Sequence, residues 1–235
     1  MKFIAALFSL FFLLISCSNS ENQMVLHGKV KGLRKGTVLL QKFEDSLLVS
    51  VDSVKIDGEP NFTFEENVES PEIYYLYLRL KNGTLLDERI GFFAAPGEIT
   101  VITTLKNFNT DAHITGSANQ ELLEEYRKLM ARYNDKNLNY IEDSFLAQQQ
   151  GNDSVVLALA DAQRGILSRK YLATVNFALQ NNNAEIAPYL MLSEVFDANI
   201  KYLDTVYGNL TPKIKDSKYG GMLESFIAER RAAGN

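Results

Sequence analysis

Apolar residues along this chain follow two different periods, and the change between them divides it. Over residues 24–116 the apolar positions alternate or form short blocks, each closed by a turn signal. Leu26, Gly28 and Val30 alternate with polar partners, blocks at 37–43 and 47–56 follow, and Phe62 and Phe64 precede Pro71. Asp57-Gly58-Glu59-Pro60, Lys81-Asn82-Gly83-Thr84 and Pro96-Gly97 read as turns, because Gly supplies a positive φ and Pro fixes its own. The block after Pro71 is apolar on both faces except at Arg79, with Ile73, Tyr75 and Tyr77 on one and Tyr74, Leu76, Leu78 and Leu80 on the other. That pattern predicts a strand in the middle of a sheet. Short strands with a turn every 8 to about 12 residues predict an antiparallel sandwich or barrel. No helix-length segment joins these strands, so parallel pairing is not expected.

At Ser117 the period becomes helical. Ser117 and Gln120 stand in capping-box positions, and Leu122, Tyr126, Leu129, Met130 and Tyr133 follow at helical spacing, continued by Leu138, Ile141 and Phe145. After Gly151-Asn152-Asp153 a second stripe runs through Val155, Leu159, Ala162, Ile166, Ala173 and Phe177. Leu167 and Tyr171 broaden it, as in a helix that packs on more than one neighbour. Two arms of roughly 40–50 Å are expected to form an αα-hairpin. Shorter helices are expected over 184–198, 200–207 and 217–233, with Thr211-Pro212 as an N-cap and N1 proline. The fold class is therefore α+β: an N-terminal antiparallel β-sandwich over 24–116, then a helical lobe over 117–235 built on the long αα-hairpin.

The first residues change the picture. Met1-Lys2 precedes an apolar run over 3–15 broken only by Ser9, which has the form of a secretory signal and is shorter than the ~20 residues a membrane span needs. The run ends Leu14-Ile15-Ser16-Cys17 and gives way to polar residues. This resembles the lipobox of bacterial lipoproteins, which implies a signal peptide over 1–16, a diacylglyceryl group on Cys17 and a lipidated linker over 17–23. Cys17 is also the single cysteine of the chain, so no intramolecular disulfide can form. The expected location is the cell outer membrane, with the membrane engaged through the lipid. The net charge of −5 argues against a nucleic-acid partner.

Several segments resemble, in order, one family of extracytoplasmic lipoproteins of the Bacteroidota. They include Leu26-His27-Gly28-Lys29-Val30-Lys31-Gly32-Leu33, Val51-Asp52-Ser53-Val54-Lys55-Ile56-Asp57-Gly58, Pro96-Gly97-Glu98-Ile99-Thr100-Val101 and Ile114-Thr115-Gly116-Ser117-Ala118-Asn119. Leu203-Asp204-Thr205-Val206-Tyr207 and Ser217-Lys218-Tyr219-Gly220-Gly221-Met222-Leu223 continue the likeness. The resemblance implies a β domain of unknown function and a helical segment, usually followed by a thioredoxin-like domain of the peroxiredoxin or thiol–disulfide oxidoreductase type. This sequence ends at Asn235, where that domain would begin. Thiol–disulfide exchange needs a thiolate, so the redox activity of those relatives is not carried over.

Other chemistry finds little support. His27 and His113 are isolated and accompanied by no metal-ligating cluster, and the acidic pairs Glu65-Glu66, Asp87-Glu88 and Glu124-Glu125 diverge on strand or helix. No nucleophile elbow or phosphate loop occurs. No catalytic residue, metal or cofactor is therefore expected. Tyr74, Tyr75, Tyr77, Phe92 and Phe93 are candidates for a ligand patch, with core packing the commoner use of such residues. The triplets Asp45-Ser46-Leu47, Asp52-Ser53-Val54, Asp153-Ser154-Val155 and Asp204-Thr205-Val206 resemble the O-glycosylation acceptors of exported Bacteroidota proteins, with Ser46, Ser53, Ser154 and Thr205 as the acceptors. The functional expectation is a non-catalytic, outer-membrane-anchored lipoprotein that binds a protein or small ligand, or serves as a scaffold. The alternative is an accessory to a thioredoxin-like redox or peroxide-defence system.

Overall fold

In the computed structural model the described residues are 21–45 and 47–234. The signal segment, Cys17 and Ser46 lie outside them. Alternating residues at the start of this range form β1 (Gln23–Lys31), followed by β2 (Lys35–Glu44), β3 (Leu47–Asp57), β4 (Asn61–Asn67), β5 (Glu72–Leu80), β6 (Leu85–Ala94), β7 (Gly97–Thr104) and β8 (His113–Thr115). They make two four-stranded sheets, ordered β4-β1-β7-β8 and β3-β2-β5-β6. β5 is internal, as its two apolar faces require. Its Tyr74, Leu76 and Leu78 meet Leu26, Val30, Phe64, Phe92, Ile99 and Val101 between the sheets, all at most 1 % exposed. Burial of each such side chain stabilises the fold by roughly 1.5–3 kcal/mol, so the sandwich is held by this layer.

The expectation of wholly antiparallel pairing is wrong at one place. β1 pairs β7 in parallel, from Met24↔Gly97 to Lys31↔Thr104. Parallel neighbours need a long crossover, usually a helix; here the crossover is β2 to β6, which form the whole second sheet and part of the first. That device leaves no trace in local sequence.

The helical half contains α1 (Ala118–Gln149), α2 (Asp153–Gln180), α3 (Ile186–Ser193), α4 (Ile200–Asn209), α5 (Pro212–Lys215) and α6 (Lys218–Ala232). α1 and α2 form the expected hairpin, ~48 and ~42 Å long at 1.5 Å per residue. Their root is packed: the Tyr126 hydroxyl meets Thr174 Oγ1 at 2.9 Å, and Tyr126 stacks edge-on against Phe177. Three local expectations need correction. Ser117 ends the strand segment, but its hydroxyl makes no capping bond; it is buried without a partner. Gln120 does not reach back to Ser117 but accepts the Phe93 N–H at 3.0 Å, so a tertiary demand overrides the capping box. α3 stops at Ser193, short of the expected 198. Arg230 donates to the Phe196 and Ala198 carbonyls at 2.9 and 2.7 Å, which holds that segment off the helix.

Sandwich and lobe share a core. Ile73 and Phe93, from the outer face of the second sheet, are buried among Leu123, Tyr126, Met130, Ile186, Leu190 and Tyr219 of the helices. Two polar links hold the helical side of this contact together. Asn119 donates to the Glu185 carboxylate at 2.7 Å and accepts the Ile186 N–H at 2.9 Å, fixing α3 on the start of α1. Among the described residues, no helix is long and apolar enough to cross a membrane.

A candidate binding site at the seam of sheet and helices

β5 begins directly after Ser70 and Pro71, and its first residues are the ones the helices touch. The alternation of the strand sends Tyr74 into the sandwich and leaves Ile73 and Tyr75 on the outer face. Opposite them stand Tyr189 of α3 and Lys218, Tyr219 and Met222 of α6. Gly220 sits against the Ile214 and Lys215 carbonyls, where an added Cβ would lie 2.0 Å from the nearer oxygen; this contact lets α6 turn Tyr219 onto the sheet. A pocket of about 400 Å³ remains between the elements, closed on the strand side by Phe43 and Asp45.

Its walls are positioned by bonds across the seam. The Ile73 N–H donates to the Tyr219 hydroxyl at 2.9 Å, and the Lys218 N–H donates to Ser70 Oγ at 3.0 Å. The Lys218 ammonium is paired with the Glu72 carboxylate and lies 3.4 Å from the Phe43 carbonyl oxygen. Aromatic rings complete the lining: Tyr189 and Tyr219 lie 5.2 Å apart, Phe93 packs edge-on against Tyr189 at 5.3 Å, and Phe43 packs edge-on against Tyr75 at 5.7 Å. Burial raises the pKa of Tyr189 and of Tyr75, the latter opposed by the Arg89 charge, and burial raises that of Tyr219 strongly. These phenols are therefore neutral donors and acceptors at physiological pH. Gln41, opposite Tyr75 across β2 and β5, is buried, donates to Ser50 Oγ at 3.0 Å and leaves its carbonyl oxygen unpaired.

The aromatic group expected from sequence is divided by this arrangement. Tyr74 and Phe92 belong to the sandwich core and Phe93 to the seam cluster. Tyr75 lines the pocket, and Tyr77 carries the Arg89 guanidinium over its ring at 4.3 Å. The residues that reasoning from sequence missed are Phe43, Glu72, Tyr189, Lys218, Tyr219 and Met222. Lys218, Tyr219 and Met222 were visible only as part of a family-like string.

His27 and His113 are exposed on strands of the first sheet, where His27 Nδ1 lies 3.5 Å from Thr63 Oγ1. Among the described residues, no three metal-ligating side chains gather. Of the glycosylation candidates, Ser53 is exposed on β3, Ser154 on the first turn of α2 and Thr205 on α4. The Ser154 hydroxyl donates to Asn152 at 3.0 Å, and Thr205 donates to the Lys201 carbonyl at 2.7 Å. Asn152 caps α2 by accepting the Val155 N–H.

Fold and seam together define an α+β protein: a β-sandwich to which a helical lobe is fixed across a small aromatic pocket. Residues 24–123 match the family model described as Domain of unknown function (DUF4369). The match takes in nearly all of the sandwich and the first turn of α1, so a β domain of unknown function is present where the motifs implied one. No curated protein matches the chain.

Proposed function

We propose that this protein is a non-catalytic binding module held to the outer membrane through lipid on Cys17, with the seam pocket as its ligand site. The pocket carries the reading. Its volume of about 400 Å³ falls within the ~300–1,000 Å³ of small-molecule sites, and such sites favour junctions lined by aromatic residues with a few fixed polar groups. Tyr75, Tyr189 and Tyr219 supply flat apolar walls with hydroxyl rims, while Asp45 and the Glu72–Lys218 pair give orientation at the mouth. Four sequence-distant elements must be in place to form it, so ligand occupancy also braces lobe against sandwich.

The address and the site are tested separately. In a detergent phase separation, wild type should enter the detergent phase and Cys17→Ala the aqueous phase; wild type in the aqueous phase would refute the anchor. For the site, a photo-reactive phenylalanine analogue at Met222 should yield one recurrent adduct in living cells, lost with Tyr75→Ala. Absence of any adduct counts against the pocket as a binding site. Capture of a thioredoxin-like protein would support the accessory reading instead. The exposed Ser53, Ser154 and Thr205, with Ser46, are proposed as O-glycan acceptors.

A further inference from the structure

The hairpin arms carry a second seam that the fold leaves open. On α1, Tyr126 and Met130 are buried at the root, and Tyr133 and Asn137 continue their row at helical spacing. A neighbouring row, Asn134, Leu138, Ile141 and Phe145, steps by four, three and four residues. On α2 the row Leu157, Ala160, Arg164 and Leu167 steps by three, four and three. Asn134 of the first row and Ala160, Arg164 and Leu167 of the second line one groove of about 410 Å³, and the helical spacing carries the rest of each row along the same face of the hairpin. Leu138 is 61 % exposed, Ile141 49 %, Phe145 59 %, Leu157 69 % and Leu167 53 %. Exposed apolar residues gathered in this way mark an interaction surface, and the steps are those of a knobs-into-holes seam. The charge in the two rows, Arg164, is already paired with Asp161.

We propose that this face is an interface with a second copy of the same chain, two hairpins closing face to face about a twofold axis into a four-helix bundle. Its size suffices. The arm from Tyr133 to Gln149 is ~25 Å long, and two helices ~11 Å wide give ~550 Å² per copy, or ~1,100 Å² in all, above the ~1,000 Å² a specific interface needs. Twofold pairing is isologous, so a row with seam spacing meets its own complement without a separately matched partner. A lipid surface suits the face less well. The hairpin tip is polar, with Gln148, Gln149, Gln150, Asn152 and Asp153, and Glu142, Asp143 and Asp161 flank the rows. The inference stands apart from the seam pocket, which lies at the other end of the arms.

Sedimentation of the full chain in a non-ionic detergent tests it. Wild type should carry twice the monomer protein mass, and the double variant Leu138→Glu/Phe145→Glu should sediment as a monomer with an unchanged circular dichroism spectrum. If that variant loses its helical spectrum, Leu157→Glu/Leu167→Glu on the other arm replaces it and should also be monomeric. A wild type that stays monomeric at about 100 µM, where even weak interfaces associate, overturns the proposal. So does a dimer that survives a folded variant.

Discussion

Replacing Tyr219 by Phe removes one oxygen atom from the seam and leaves its ring contacts with Phe93 and Tyr189 in place. The lost hydroxyl is the acceptor for the Ile73 N–H, at 2.9 Å in a buried setting. β2 last pairs β5 at Lys42↔Tyr74, so no strand carbonyl stands ready to replace it. A buried donor without a partner costs ~1–3 kcal/mol. In a protein of this size each kcal/mol lowers Tm by ~2–4 °C, so Tyr219→Phe should melt ~2–12 °C below wild type. The control is Tyr171→Phe, which removes a 2.6 Å bond to Asp197 at an exposed site; water can replace that bond, so the change should stay within ~0.5 kcal/mol. Calorimetry of both variants decides the matter. Because the seam cluster is shared by both halves, a single transition should fall as a whole in Tyr219→Phe. A variant that melts with Tyr171→Phe, or a split in which only the helical part destabilises, would refute the role given to the seam.

Other consequences can be checked in the same material. Burial raises the pKa of Tyr75, Tyr126, Tyr189 and Tyr219 in the folded chain. Their contribution to stability is therefore complete below the unfolded value of ~10 and is lost as pH climbs through the higher folded values; absorbance at the phenolate band near pH 10 should lag behind that of the urea-unfolded chain, and equal ionisation would contradict this. Gly116→Ala would place a Cβ 2.0 Å from the Glu98 carbonyl oxygen at φ +103°, so it should destabilise by more than ~3 kcal/mol, among the larger single-site effects, and a normal melt would show that the strand-to-helix turn is adaptable. If Cys17 carries the proposed lipid and the four acceptor triplets are used, intact mass of the native protein exceeds that of the lipidated polypeptide, and changing Ser46, Ser53, Ser154 and Thr205 to Ala removes the excess.

Much of the scaffold was legible because local pattern and tertiary demand agree. Tyr74, Leu76 and Leu78 alternate in β5 and all point into the sandwich, while Asn82-Gly83 delivers the turn into β6 with Gly83 at φ +85°. The failures come where distant groups override local preference. The parallel pairing of β1 and β7 depends on residues more than seventy positions apart. Gln120 looks like a capping-box residue and serves the Phe93 N–H, and the end of α3 is set by Arg230 from α6. Of the candidate site only Tyr75 and the adjoining Phe93 were legible, for the same reason: Phe43, Tyr75, Tyr189 and Tyr219 come from four elements, and no spacing rule joins them. On the hairpin the sequence placed Leu138, Ile141 and Phe145 in the stripe of Tyr126 and Met130, but they are exposed; only Leu167 of the exposed rows was legible as a broadening of its stripe.

The central claim is that the seam pocket holds a ligand, and native mass spectrometry of protein released from its own cell envelope addresses it most directly. Wild type should carry a non-covalent mass that dissociates on activation. The same mass should be absent from Tyr75→Ala purified in parallel with an unchanged circular dichroism spectrum. A wild-type spectrum without the added mass, or an added mass that Tyr75→Ala retains in full, would contradict the assignment of the pocket.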